Sequence, residues 1–198
     1  MKRDDDGVTL IEVLVAMLIM TVAGALATTA IAQIYRSTSH VEASFEAQRQ
    51  IETMYTRLDT EIRYARSISN PGQVGRDWYV EYLLSSGSAD TCVELRLNST
   101  TREVQRRTWT KNAVPLAPSR WTVLATDIVA TTPFTVVAAD RKSLTGSRYQ
   151  RMTLAMRSVA GGGRASSTQE TDVTFTALNA TSTADDVSTC TEARGVAS

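Results

Sequence analysis

The feature that most limits the possible folds of this sequence is the boundary between a short charged leader and a long apolar segment. Residues 1–7 are mostly charged, and the charge stops at Gly7. From Val8 to Ile34 the sequence has one charged residue, Glu12, and no proline. A helix over residues 8–35 would be roughly 40 Å long, enough to cross a hydrocarbon core of about 30 Å. The sequence therefore predicts one membrane-spanning helix preceded by a leader.

Glu12 needs a positive partner in this setting. An acidic side chain costs about 2.5–3.5 kcal/mol at the centre of a membrane helix and less near its ends. If the chain is cut after Gly7, the new α-amino group of Val8 lies one helical turn from Glu12. That amine, or the amine of a neighbouring subunit, can neutralise the carboxylate. The alternative is a hydrated Glu12 at the membrane interface with no further role.

The stretch from Gly7 to Ala16 carries a family resemblance. Its glycine, its hydrophobic next residue and a glutamate five places after the glycine resemble the class III signal of type IV pilins and type II secretion pseudopilins. The resemblance implies that prepilin peptidase cuts between Gly7 and Val8 and methylates the amine of Val8. It also implies that Glu12 guides docking into a growing filament.

The leader departs from the family pattern in two ways. Val8 stands where phenylalanine or methionine is usual, and three aspartates, 4–6, follow Lys2 and Arg3 where basic residues normally dominate. The two basic residues still favour a cytoplasmic leader, since acidic residues count little in the positive-inside rule. An ordinary secretory signal is the alternative, with small-residue sites at 23–25 and 30–32. Its apolar region normally holds about 7–15 residues, fewer than this segment has.

The chain beyond the apolar segment predicts an α+β fold. Apolar residues recur at steps of three and four up to residue 69, so the helix should continue as an amphipathic half over 36–69 and lie against a sheet. The sequence Asn70-Pro71-Gly72 should end it. Alternating, β-branched and aromatic residues then predict an antiparallel β-sheet domain over 70–180, followed by a C-terminal tail over 181–198. The predicted strands cover 78–84, 92–97, 103–109, 121–129, 135–138, 150–159 and 171–178.

Turn residues divide these strands. Hairpin turns are predicted at 85–90 and 98–102, a longer loop at 115–118, and a glycine turn at 161–163. Within the second strand, Cys92, Glu94 and Arg96 should face one side of the sheet. A long helix followed by an antiparallel sheet is also the pilin-like architecture that the family resemblance implies.

Two cysteines, Cys92 and Cys190, lie far apart in sequence. This spacing fits a disulfide closing a large loop and does not fit a zinc site; two unpaired thiols are the alternative. His40 is the only histidine, which argues against a His-based triad or a multi-His metal site. The pair Asp185-Asp186 offers too few oxygens for calcium. No metal and no cofactor are predicted.

A basic and aromatic set in the middle of the chain is a candidate DNA-binding patch. Its members are Arg102, Arg106, Arg107, Lys111, Arg120, Trp109 and Trp121. The simpler interpretation is a strand with arginines on its solvated face. Acidic residues dilute the set, and the 21 basic residues of the chain balance its 21 acidic ones.

No catalytic constellation is visible, so the sequence does not predict an enzyme. The stretch 52–69 and the closing segment 173–179 are similar to the minor pseudopilin J group and related minor pilins. This implies a subunit of a priming tip complex in the bacterial cytoplasmic membrane, with its C-terminal domain outside the cytoplasm. Implied partners are other minor and major pilins or pseudopilins, prepilin peptidase and the inner-membrane assembly platform. The alternatives are a tip module that binds DNA or an exported protein, and a lone membrane-anchored envelope protein.

Overall fold

A computed structural model describes residues 9–86, 89–140, 147–160, 167–180 and 189–196. The chain divides into two compact units, Met1–Glu42 and Ala43–Ser198. One long helix, α1 (Leu10–Arg63), contributes to both units, and ten strands follow it within the described ranges. The order of elements agrees with the predicted α+β class and with a pilin-like architecture.

The second unit begins with the last five turns of α1, which carry one buried stripe. Met54, Leu58 and Ile62 are spaced by four residues, so they lie on one face of the helix and are almost fully buried. They pack in one core cluster with residues of both sheets. Tyr55, beside this stripe, is 44% exposed. The ring of Tyr55 lies 5.6 Å from that of Phe175.

The helix ends earlier than the sequence predicts. It stops at Arg63, and Ala65–Ile68 forms a strand. The prediction of a helix up to residue 69 was therefore wrong. Ala65 and Ile68 are both buried, and apolar residues this close together fit a strand end as well as a last helical turn. Antiparallel pairing with a later strand decides between them.

The strands form two antiparallel sheets. The first sheet has the order β1-β3-β4-β5-β6, with β2 also pairing with β3, and the second has the order β10-β9-β7, with β8 also pairing with β9. The strands are β1 (Ala65–Ile68), β2 (Gly72–Val74), β3 (Asp77–Ser86), β4 (Ala89–Asn98), β5 (Glu103–Thr110), β6 (Thr122–Ala125), β7 (Ile128–Val129), β8 (Phe134–Val137), β9 (Gln150–Ala160) and β10 (Ser167–Ala177).

Most predicted strands are confirmed. The structure places strands at β3, β4, β5, β8, β9 and β10, with ends that differ by a few residues. The predicted strand 121–129 is two strands, β6 and β7, which pair with different sheets. Asp127 between them adopts a left-handed backbone conformation (φ 56°), so the chain turns there. The sequence missed β1 and β2, and the glycine turn at 161–163 lies outside the described residues.

Candidate functional site

The first unit presents an apolar helical surface. Leu10–Thr38 is 29 residues long and is apolar enough to cross a membrane, and its most apolar stretch is not buried by any other part of the described chain. At 1.5 Å per residue it is about 44 Å long, which exceeds the hydrocarbon thickness of a bilayer. This segment fits the membrane-spanning helix that the sequence predicts.

The threonine hydroxyl groups in this segment donate hydrogen bonds to backbone carbonyls of the preceding helical turn. The Thr21 hydroxyl donates to the Leu18 carbonyl at 2.8 Å, and the Thr28 hydroxyl donates to the Gly24 carbonyl at 2.7 Å. Thr29 and Thr38 make the same kind of bond to the preceding turn. Helical backbone groups are also paired, so these residues bring little unpaired polarity into lipid.

Glu12 lies in the first turn of α1 and is exposed. The helix begins here, because the backbone N–H groups of Glu12 and Val13 both donate to the Thr9 carbonyl, at 3.0 and 3.3 Å. Gly7 and Val8, the predicted cleavage and methylation residues, lie outside the described residues. The roles assigned to Gly7, Val8 and Glu12 therefore stay predictions.

The second unit carries a different kind of surface on the side of the first sheet away from α1. Residues of β3, β4 and β5 form three rows in register across the strands. We call these nine side chains the tail-facing surface. The rows are Tyr79, Arg96 and Gln105; Glu81, Glu94 and Arg107; and Leu83, Cys92 and Trp109. Cys92, Glu94 and Arg96 thus share one side of the sheet, as the sequence predicts.

Residues 189–196, which we call the tail segment, cover this surface. A disulfide joins Cys190 to Cys92, with 5.6 Å between the two Cα atoms. This is the pairing that the sequence predicts. Trp109 Nε1 donates to Glu192 Oε1 at 2.9 Å. Leu83, Cys92, Trp109, Cys190 and Ala193 form a small apolar cluster around the disulfide.

The two glutamates of the central row, Glu81 and Glu94, each form an ion pair. Arg107 Nε donates to Glu94 Oε2 at 2.5 Å, and both side chains are fully buried. The Arg194 guanidinium binds both carboxylate oxygens of Glu81. The Ser69 hydroxyl donates to Glu81 Oε2. Burial raises the pKa of Glu94 to about 7, although Arg107 opposes this shift. Burial also raises the pKa of Glu81, against the effects of Arg194 and Ser69.

A third charged cluster links α1 to the first sheet. Glu61 accepts from the Tyr82 hydroxyl at 2.5 Å and from Arg106 Nε at 2.9 Å through Oε2, and from Arg57 Nε at 3.1 Å through Oε1. Burial raises the pKa of Glu61, but Tyr82, Arg106 and Arg57 together outweigh burial, so the pKa lies below its ordinary value. The cluster fixes the helix face against the sheet.

The candidate DNA-binding set is divided between surfaces. Arg106 turns toward α1 and pairs with Glu61, whereas Arg107 lies buried on the opposite side of β5. Arg102 pairs with Asp127 at 2.8 Å. Trp121 stacks against the guanidinium groups of Arg96 and Arg107, each 4.2 Å from its ring centre. The set predicted from the sequence therefore does not form one basic surface.

The comparisons with known proteins bear on the first unit. The prokaryotic N-terminal methylation motif matches residues 2–28. This motif supports a type IV pilin-like or pseudopilin precursor that prepilin peptidase processes, in a family whose members are structural. Neither a curated protein nor a solved structure matches the chain.

Sequence reasoning missed the buried charges. Glu81 and Glu94 gave a signal, since each interrupts an apolar strand, and Glu94 had been placed on the side of Cys92. Arg194 gave none, because it lies in a tail that has no periodicity. No group of three or more metal-ligating side chains occurs in the described part of the chain. Asp185 and Asp186 lie outside it.

Proposed function

We propose that the protein is a minor pilin or pseudopilin, a structural subunit without catalytic activity that takes part in a priming tip complex. The matched methylation motif carries this proposal, because it coincides with the start of the apolar surface Leu10–Thr38. No other described residues bury the most apolar stretch of that surface, so equivalent helices of other pilins are its natural partners, together with lipid.

Processing is the first step of this proposal. Prepilin peptidase cuts between Gly7 and Val8 at the cytoplasmic face of the bacterial inner membrane and methylates the new amine. The cut removes the charged leader and gives Glu12 a positive partner within one helical turn. In the assembled state the carboxylate of Glu12 meets the Val8 amine of its own or a neighbouring chain while the apolar helices pack side by side.

N-terminal sequencing and mass measurement of the mature protein test this step. We expect a sequence that starts Val8-Thr9-Leu10, with the mass of one added methyl group on the amine. A start at Met1, or a start at Gln33 after an ordinary secretory cut, would contradict the proposal. Gly7→Leu should block the cut and leave the full-length precursor in the membrane.

The role of Glu12 has its own test. Glu12→Ala and Glu12→Gln should both reduce co-purification with the other pilins of the same machine, because both remove the charge that pairs with the amine. Glu42→Ala is the matched control, since Glu42 is an exposed acidic residue of α1 beyond the apolar segment. Equal recovery of partners by all three variants would contradict the role of Glu12.

The minor role is supported by the resemblance of 52–69 to the minor pseudopilin J group. Quantitative mass spectrometry of purified filaments should find the chain far below the major subunit in copy number. A stoichiometry equal to that of the major subunit would overturn the tip assignment and leave the pilin proposal in place.

A further inference from the structure

The central row of the tail-facing surface is a buried set of charged side chains with more acidic than basic groups. The tail segment supplies the missing basic group. Glu81, Glu94 and Arg107 face one another in register on β3, β4 and β5, and each is 1% exposed or less. The strands therefore contribute two carboxylates and one guanidinium. Arg194 of the tail segment supplies the fourth charge and pairs with Glu81. Docking of the tail segment completes the set and removes it from water.

Glu94 is the least satisfied member of the set. Its Oε2 accepts from Arg107, while its Oε1 is buried and has no hydrogen-bond partner among the described residues. Arg107 gives its other donors to the tail segment: Nη2 to the Ala193 carbonyl at 2.6 Å and Nη1 to the Val196 carbonyl at 2.9 Å. A buried carboxylate with an unpaired oxygen is costly in its charged form and less costly when protonated.

We propose that docking of the tail segment 189–196 on the first sheet is linked to proton uptake by Glu94, so that the tail closes more tightly in acid. The proton comes from solvent and sits on the carboxyl group of Glu94. The neutral acid keeps one hydrogen bond from Arg107, and Arg107 keeps both tail carbonyls. This inference concerns the second unit and does not depend on the proposed role in a pilus.

The direction of the pH effect follows from burial. With the tail docked, burial raises the pKa of Glu94 to about 7 and shifts that of Glu81 the same way. With the tail displaced, both groups meet water and return toward the ordinary value of 4.5. Between these values the docked form holds more protons than the open form, so docking strengthens as the pH falls from 7 toward 4.5 and weakens as it rises through 7.

The other charged groups on this face do not reverse the direction. The guanidinium groups of Arg107 and Arg194 lower the pKa of Glu94, yet burial outweighs them. Glu192 of the tail segment acts on Glu81 and raises its pKa further. Arg96, in the next row of β4, is engaged by Gln105, at 3.0 Å from its Nε, and by the ring of Trp121.

Disulfide access tests the proposal with the full chain in detergent micelles. Attack on Cys190 or Cys92 requires the tail segment to lift, since both residues are buried in the cluster that the tail segment forms with the first sheet. The reduction rate by a phosphine is measured from pH 5.5 to 8 for the wild type and for Glu94→Gln, whose side chain has nearly the same shape and does not titrate. The variant corrects for the pH dependence of the reductant. Glu170→Gln, in an exposed pair with Arg157, is the control for a general charge effect.

We expect the ratio of the wild-type rate to the Glu94→Gln rate to rise about tenfold or more from pH 5.5 to 8, given a pKa shift of this size. The ratio of the wild type to Glu170→Gln should stay constant. A constant wild-type to Glu94→Gln ratio, or one that falls with pH, would overturn the proposal.

A second measurement needs only the wild type, in case Glu94→Gln does not fold. The amides of Arg194 and Val196 are hydrogen-bonded within the tail segment, to the carbonyls of Thr191 and Ala193. Their hydrogen-exchange protection, corrected for the intrinsic pH dependence of exchange, should be about tenfold greater at pH 5.5 than at pH 8. Equal protection at the two pH values would refute the link to Glu94.

Discussion

The apolar half of α1 exposes its large apolar side chains, whereas the second unit buries its own in a core. Along Leu10–Thr38 large apolar side chains are exposed, and the acidic residue Glu12 has no cation near it among the described residues. In Ala43–Ser198 the apolar side chains form two clusters, and even Glu81 and Glu94 are buried in ion pairs. The first unit leaves large apolar side chains uncovered by the described residues, whereas the second unit buries a core of its own.

This difference predicts which property of the protein a substitution in each unit should change. Changes in the second unit should alter its own free energy of unfolding, while changes in the first should alter association and leave that free energy unchanged. All three tryptophans, Trp78, Trp109 and Trp121, belong to the second unit. Tryptophan emission during denaturation therefore reports on the second unit.

Removing Arg107 should give the largest loss of stability. Arg107→Ala leaves Glu94 buried without its partner and removes two hydrogen bonds to the tail segment, so we expect a loss of about 3–5 kcal/mol. Denaturant unfolding followed by tryptophan emission measures it. Arg157→Ala removes an exposed partner of Glu170 and should cost about 0–1 kcal/mol. Equal losses in the two variants would contradict the burial argument.

Substitution of two leucines of α1, one in each unit, compares the units directly. Leu58 is fully buried and Leu26 is 66% exposed. Leu58→Ala should lower the free energy of unfolding by about 2–5 kcal/mol, and Leu26→Ala should leave it unchanged. A comparable loss from Leu26→Ala would mean that the apolar half of α1 contributes to the fold of the sheet unit.

Loss of the disulfide should destabilise the second unit by a similar or smaller amount. The bond joins residues 98 positions apart, so the double variant Cys92→Ser/Cys190→Ser should lose about 2–5 kcal/mol through the larger freedom of its unfolded chain. Denaturant unfolding with and without reductant measures the effect. Reductant should lower the stability of the wild type and leave the double variant unchanged. Unchanged wild-type stability under reduction would contradict the prediction.

The smallest expected effect is at the junction of α1 and the first sheet. Tyr82→Phe removes the hydroxyl that donates to Glu61 and should cost about 0.5–1.5 kcal/mol at pH 7. Because the pKa of Glu61 is lowered in the folded chain, its stabilising contribution is present above the ordinary value of 4.5 and is lost as the pH falls through the lower folded pKa. The gap between wild type and variant should therefore shrink below pH 4.5. Tyr64→Phe, at a side chain 60% exposed, should show no such gap at any pH.

The two charged clusters of the second unit respond to acid in opposite directions. Glu61 is held charged by three donors, so acid weakens the helix–sheet junction. Glu94 is held by one donor and has an unpaired oxygen, so acid favours its buried state. In a pH series of unfolding, the stability lost in Tyr82→Phe should therefore shrink as the pH falls below 4.5. The stability of Glu94→Gln relative to the wild type should instead rise as the pH rises from 4.5 toward 7.

The sequence alone determined the local features of this protein. The apolar run after Gly7 predicts a membrane helix from its length and low charge, and Leu10–Thr38 is a helix long and apolar enough to cross a membrane. The alternation of residues in β3, β4 and β5 sets their faces, and the wide spacing of the two cysteines favoured the disulfide that the structure contains. These predictions need the periodicity of one segment and little else.

Apart from the disulfide, the contacts between residues that are far apart in the sequence could be read from the tertiary structure and not from the sequence. Ala65–Ile68 is a strand because β3 offers it a partner, although its apolar spacing continues the helix pattern. Arg106 and Arg107 are neighbours in sequence, yet one pairs with a helix and the other lies beneath the tail segment. The charge of Arg194 reaches Glu81 over 113 residues. Such pairings depend on how distant segments pack, and packing decides whether a charge is paired, hydrated or neutral.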